Sequence, residues 1–399
     1  MKLLTGLGVP SFFVAVTCAA TAGVPVQVLA QTYIVTDLGT LNGGPGSGAF
    51  ALNEAGHVAG ASNLPPNGFI LRPFLWLEGT MTDLGTLGGF TGLAYGVNNA
   101  DQVAGTSTLT SGFGHAFLWE DGVMIDLGTP TNTASDASAI NDAGQIAGTI
   151  DLTAFIWEEG VMTELGTLPG MTDSGGFGIN AAGEVVGPTG CGFFCPGNAF
   201  HWVDGQMFDL GRLPGYDGSV ATCINDTGMI AGYSTITIPS TLRATLWDNG
   251  KIIDLGAGDG IYSEALGINN AGVVVGHWGN SELFVHHYAT MWVDGELIDL
   301  NDLIPADSGW VLHEATDINE VGQIVGGGFN PDGLGRGFLL TPCAPADFDC
   351  NGSVGAFDLA VLLGNWGPCP DPDDCPADFD NDGAVNAFDL AQLLGSWGP

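Results

Sequence analysis

Basic side chains are nearly missing from this chain. Six Lys and Arg stand against 44 Asp and Glu in 399 residues, a formal net charge of −38. Phosphate-binding surfaces are built from Lys and Arg, so nucleic acid is excluded as a partner and anionic membrane surfaces are disfavoured. Divalent cations, neutral sugars and protein surfaces remain as ligand classes. Beyond the N-terminal segment no apolar run is long enough to span a bilayer. Residues 31–342 contain neither His-x-x-x-His nor Cys-x-x-Cys, the common spacings of zinc sites. His286-His287 is the only His pair, and neighbours in a strand point to opposite faces. No catalytic residue and no organic cofactor is assigned. The chain reads as a non-enzymatic protein, with a polysaccharide-degrading enzyme (glycosidase or lyase) as the alternative.

Glycine is abundant, 65 residues without a collagen period, which points to many tight turns and an all-β chain. The N-terminus reads as an export signal spanning residues 1–30. Lys2 is followed by an apolar run to Cys18, and Val28-Leu29-Ala30 precedes Gln31 as a cleavage site. The mature protein is therefore expected outside the cell or on its surface. In that setting Cys343, Cys350, Cys369 and Cys375 imply two disulfides in one of three pairings. Cys191 and Cys195 can pair within one loop, and Cys223 is left as a small buried residue.

The middle of the chain repeats seven times. Asp-Leu-Gly starts at Asp37, Asp83, Asp126, Asp209 and Asp254, with variants at Glu164 and Asp299; the spacings are 46, 43, 38, 45, 45 and 45 residues. Asn-x-x-Gly, an apolar pair and another Gly follow Asn53, Asn98, Asn141, Asn180, Asn225, Asn269 and Asn319. A Trp precedes a tight turn at Trp76, Trp119, Trp157, Trp202, Trp247 and Trp292. Periods of about 40–50 residues with several short strands indicate propeller blades. In the second unit the four strands are expected at 93–98, 102–105, 115–119 and 123–128, apolar on both faces where blades stack. The last unit lacks a fourth strand, and the chain begins with one, Tyr33-Ile34-Val35-Thr36-Asp37. Pairing the two closes a seven-bladed ring and removes its free edges. The recurring Trp, Asp and Asn, and the turn acids Glu54, Asp101, Asp142, Asp226 and Glu320, read as packing and turn residues. Ala-Phe-Leu-Trp, Val-Met-x-Asp-Leu-Gly-Thr-Leu and Ile-Asn-x-x-Gly-x-Ile-x-Gly resemble the HAF repeat family of bacterial extracellular proteins. That resemblance implies export and a propeller, and no defined activity.

In such a ring the loops between second and third strands share one face with the connections between blades. These loops vary most, and variable loops on a rigid scaffold are the usual place for function. Tyr216, Tyr262 and Trp278, with Phe90 and Tyr288, are the aromatic candidates there for stacking on carbohydrate or anchoring a partner.

The segment 343–399 forms a separate small α-helical unit. Loop one supplies oxygen ligands at Asp347, Asp349, Asn351, the Ser353 carbonyl and Asp358. Loop two supplies them at Asp378, Asp380, Asp382, the Ala384 carbonyl, Asn386 and Asp389. This spacing, with Gly352 and Gly383 at the sharp turn, wraps a chain around calcium, so two calcium ions are expected. Gly355 leaves the ninth position of loop one to water, so that loop is the weaker. The second copy starts 31 residues after the first, and an apolar Leu-Leu-x-x-Trp helix follows each loop. The segment contains no Lys or Arg, so charge repulsion couples its folding to calcium. The stretch resembles the dockerin family, which implies docking to a cohesin-type partner through Ala356, Phe357, Ala387 and Phe388. Hydroxyl or charged residues are usual at those positions, so another surface protein is the competing partner.

Overall fold

The structure, a computed structural model, describes residues 32–66, 68–129, 133–191, 196–237, 240–280, 287–370 and 375–398. The expected signal segment, Cys195 and His286 lie outside them. Among the described residues seven antiparallel sheets form the blades, six of four strands and one of five, and a two-stranded pair, Gly367–Pro368 with Ala384–Val385, lies in the C-terminal segment. The first blade, Ser47–Leu52, Val58–Asn63, Leu71–Leu77 and Thr80–Asp83, sets the pattern. In the second blade the strands run Gly88–Val97, Val103–Leu109, Gly114–Glu120 and Val123–Asp126, the first three longer and the fourth shorter than the sequence signals suggested. The fourth strand departs from the expected two-sided burial. Val123 and Ile125 are exposed, as is Phe208 in Gln206–Gly211, the outer strand of blade four, because the outermost strands stand clear of the neighbouring blades. Apolar packing between blades comes from the inner strands, where Phe74, Phe117, Phe155, Phe200 and Phe338 are fully buried.

Ring closure matches the expectation. Tyr33–Asp37 pairs antiparallel with Gly335–Pro342, from Tyr33 opposite Pro342 to Asp37 opposite Phe338. The last blade therefore takes its outer strand from the start of the chain.

The Asn-x-x-Gly repeat builds a hoop. All seven asparagines are buried. Each Oδ1 accepts the backbone N–H four residues on, fixing its own hairpin. Each Nδ2 donates to the backbone carbonyl of the next blade's asparagine at 2.9 to 3.3 Å, and Asn319 donates to Asn53 to complete the circle. The Gly after the apolar pair has a different cause. A Cβ on Gly60, Gly105 or Gly148 would overlap the carbonyl of the innermost strand. Asn98→Ala is expected to cost about 2–4 kcal/mol, since it strands buried backbone groups at about 1–3 kcal/mol each. Urea unfolding measures it, and a loss under about 0.5 kcal/mol would contradict a structural hoop.

Asp-Leu-Gly is also accounted for by local structure. Oδ1 of Asp37, Asp83, Asp126, Asp209 and Asp254 accepts the N–H of the Gly two residues on, at 2.7 to 2.9 Å. Three of the scarce arginines sit across from these carboxylates: Arg72 by Asp83, Arg243 by Asp254, and Arg336 by Asp37 across the ring closure.

Beyond Pro342, α1 (Ala356–Gly364) and α2 (Ala387–Gly395) form a small unit. Its core is Ala346, Val354, Leu362, Ala377, Val385 and Leu393. The pairings are Cys343–Cys350 and Cys369–Cys375. Cys191 is also disulfide-bonded. Cys223 is the free cysteine among the described residues; it lies in the channel wall, and burial pushes its thiol up to about 12.

Candidate functional site

The asparagine hoop surrounds one mouth of the central channel. Just outside it a second set of links runs from blade to blade through side chains. The backbone N–H of Asn99 donates to Asp142, that of Ala181 to Asp226, that of Asn270 to Glu320, and that of Glu320 to Glu54. The recurring turn acids thus act as connectors. Deeper in the channel, Asp317 accepts N–H groups from Leu52 and Ile318 at 3.0 and 2.9 Å, and burial pushes its carboxyl up to about 7. An unfolded Asp titrates near 4. Between about pH 4 and pH 7 the folded chain therefore holds a proton that the unfolded chain has lost, and stability falls as pH rises through that window. Asp317→Asn is expected to give a gain in Tm that grows across this window and levels off above it. Thermal melts across pH measure it, and a gain equal at every pH would contradict the assignment.

The opposite face carries a cavity of about 790 Å³. It owes its position to a difference among repeats. Three residues before the hoop asparagine, on the channel side, stand Phe50, Tyr95 and Phe177 in blades one, two and four, and Ser138 in blade three. The small serine leaves space between the rings of its neighbours. Asp136, two residues back on the same strand, lines the same cavity, and Ser138 Oγ donates to it at 3.2 Å. The loop above is also the shortest of its kind: the second strand of blade three ends at Ile150 and the third starts at Thr153. Leu152 at this turn has φ +69° and is exposed on the cavity rim, a left-handed conformation uncommon for Leu. Phe177 reaches the cavity because the innermost strand of blade four is broken into Asp173–Ser174 and Gly178–Ile179. Gly176 at the break lies against Gly148, where a Cβ would crowd the backbone.

The aromatic candidates read from the sequence do not form one platform. Tyr216 is half-buried, and its hydroxyl accepts from Arg243 at 3.4 Å. Trp278 packs on Tyr288 with ring centroids 5.2 Å apart. Tyr262 faces the other side of the same blade, stacked on His277 and His287. Phe90 is 80% exposed and apart from these contacts. Sequence reasoning missed the buried His277–His287 pair, 4.5 Å between centroids. The two come from adjacent strands, and His277 sits where the other blades carry Ala, Thr, Pro, Tyr or Gly. Glu264 lies 3.8 Å from His277 and accepts from Tyr262 at 3.0 Å; burial pushes its carboxyl up to about 7 and holds His277 down at about 3.

The two acidic loops have matching geometry. The first-position aspartates, Asp347 and Asp378, accept the N–H of Gly352 and Gly383, each at 2.8 Å. Those glycines have φ of +85° and +89°, so the sharp turn needs Gly. At the twelfth position Asp358 accepts from Phe348 and Gly355, and Asp389 accepts from Phe379 and Asn386. Both twelfth-position carboxylates are fully buried. Asp347, Asp349 and Asp358 bring one oxygen each within 4.8 Å of one another, and Asp378, Asp380 and Asp382 do the same. Asn351, Ser353, Ala384 and Asn386 occupy the intervening turns. Buried carboxylates need a compensating charge, and no Lys or Arg follows Cys343 in the sequence. The donor set, all oxygen and strongly anionic, fits a hard divalent cation. Of the residues considered for partner contact, Phe357 and Phe388 are 57% and 70% exposed; Ala356 and Ala387 begin the two helices.

No protein family and no curated protein matches the chain. Solved structures do. The β-propeller domain of the Trilobed protease from Pyrococcus furiosus is 11% identical with a TM-score of 0.50, over 77% of this chain and 93% of that one. Dipeptidyl peptidase 4 from Porphyromonas gingivalis is 9% identical with a TM-score of 0.41, over 74% of this chain and 53% of that one. A gluconolactonase from Xanthomonas campestris is 12% identical with a TM-score of 0.36, over 78% and 91%. The first of these likenesses concerns the fold alone, and its domain is described as having an open velcro topology, whereas here the strand Tyr33–Asp37 closes the last blade. The chain is thus an all-β, seven-bladed propeller followed by two short helices.

Proposed function

We propose that this chain is a secreted, non-enzymatic attachment protein. The ring presents its loop face to a ligand, and the C-terminal segment binds two calcium ions and docks the ring to a surface protein. The observation that carries the reading is the pair of buried carboxylates, Asp358 and Asp389, set in two matching oxygen-lined loops with no basic residue in their segment. Calcium supplies the missing positive charge; Asp347, Asp349, Asn351, Ser353 and Asp358 would hold one ion, and the corresponding residues 378–389 the other. Phe357 and Phe388 then stand at the starts of α1 and α2, available to a cohesin-like or other protein partner. The test is retention of the full chain on the surface of its native cells with calcium or with chelator. Retention is expected with calcium alone and is expected to be lost in the variant Phe357→Ala, Phe388→Ala. Retention that ignores calcium would overturn the docking role, and reducing ends released from plant or bacterial glycans would overturn the non-enzymatic one.

A further inference from the structure

We propose that the loop-face cavity between blades two and four binds an organic ammonium group. The inference rests on the ring being the ligand-presenting half of the protein and adds the class of ligand. Three features of the lining point to positive charge. First, it is lined by Asp136 and Asp151 and, among the described residues, by no Lys, Arg or His. Among the described residues Asp136 has no basic partner within ion-pair distance, since it appears in none of the seven ion pairs. Second, Phe50, Tyr95 and Phe177 all line the cavity, the first two with ring centroids 5.7 Å apart. Aromatic faces carry negative charge density and attract cations. Third, the hydroxyls of Thr106, Ser135 and Ser138 are engaged within the protein. Thr106 donates to the Ser135 carbonyl at 2.9 Å, Ser135 accepts from Ala116 at 2.9 Å, and Ser138 donates to Asp136. The aromatic rings and the Asp136 carboxylate of this lining are complementary to an ammonium group. A volume of about 790 Å³ falls in the range of small-molecule sites. The burial that raises the Asp136 carboxyl above its ordinary value agrees with a site whose charge awaits a partner.

Calorimetric titration of the full chain tests this, with choline and glucosamine as cationic probes and glucose and cellobiose as neutral ones. Choline or glucosamine is expected to bind, several-fold more weakly when salt rises from about 50 to about 500 mM. Asp136→Asn, which keeps the shape, is expected to weaken binding about tenfold. Ser138→Phe restores the ring found in the neighbouring blades and is expected to abolish binding. A thermal melt of each variant reports folding. Equal binding of glucose and glucosamine, or an Asp136→Asn variant that binds choline unchanged, overturns the ammonium class. If neutral sugars alone bind and Tyr95→Ala removes that binding, the ligand-face reading stands while this inference fails. If no probe binds, this inference fails, and calcium titration of the same sample still reports on the attachment module.

Discussion

A variant lacking residues 1–37 is expected to lose about 5 kcal/mol or more of stability and to self-associate. The deleted strand supplies a five-residue pairing with the last blade. It also buries Tyr33 in that blade's core together with Leu340 and Phe338, and its Asp37 accepts from Asn330 at 3.0 Å and faces Arg336. One large buried side chain contributes about 1.5–3 kcal/mol, and each lost hydrogen bond about 0.5–1.5 kcal/mol. A loss of that size approaches the whole stability of an ordinary domain. It also leaves Gly335–Pro342 as an open edge, a template for another chain. Urea unfolding and light scattering read both effects, and a peptide of residues 32–38 added in trans is expected to restore the monomer. An unchanged unfolding midpoint would show that the ring is held by the asparagine hoop alone.

Withdrawal of calcium is expected to open the C-terminal segment and spare the ring. The carboxylates of each loop repel one another without a cation, and the core beneath them is small, centred on Leu362 and Leu393. Hydrogen exchange on the full chain is expected to show residues 343–398 losing protection in chelator while the blades keep theirs. Asp389→Ala is expected to weaken its loop about 10- to 100-fold, the scale of one lost charged ligand. Asp358→Ala is expected to act on the weaker of the two proposed sites, since Gly355 offers no side chain where Asn386 does. Protection of this segment that is equal with and without calcium would contradict coupled folding.

The ring was legible because its repeat is made of residues with local jobs. Asn at the hairpin and Asp before a Gly N–H each satisfy a backbone requirement within four residues, and Gly clears the carbonyl of the adjacent strand in its own blade, so all three recur with the blades. The hoop was not legible, since each Nδ2 finds its partner in the next repeat. The cavity was hidden for a related reason. The sequence directs attention to long variable loops and their aromatics, whereas the space lies under the shortest loop, where Ser138 stands between blades that carry Tyr95 and Phe177. Phe177 enters it only through the strand break at Gly175-Gly176. His277 and His287 escaped notice because they meet across neighbouring strands rather than along one. The acidic loops stood out in the sequence because their carboxylates and turn glycines fall within twelve consecutive positions.

Isothermal titration of calcium into the full chain tests the attachment account most directly. It predicts two ions per chain, the site in loop two the tighter, with the heat abolished in the variant Asp358→Ala, Asp389→Ala. No binding by the unaltered chain, or unchanged binding by that double variant, would contradict it.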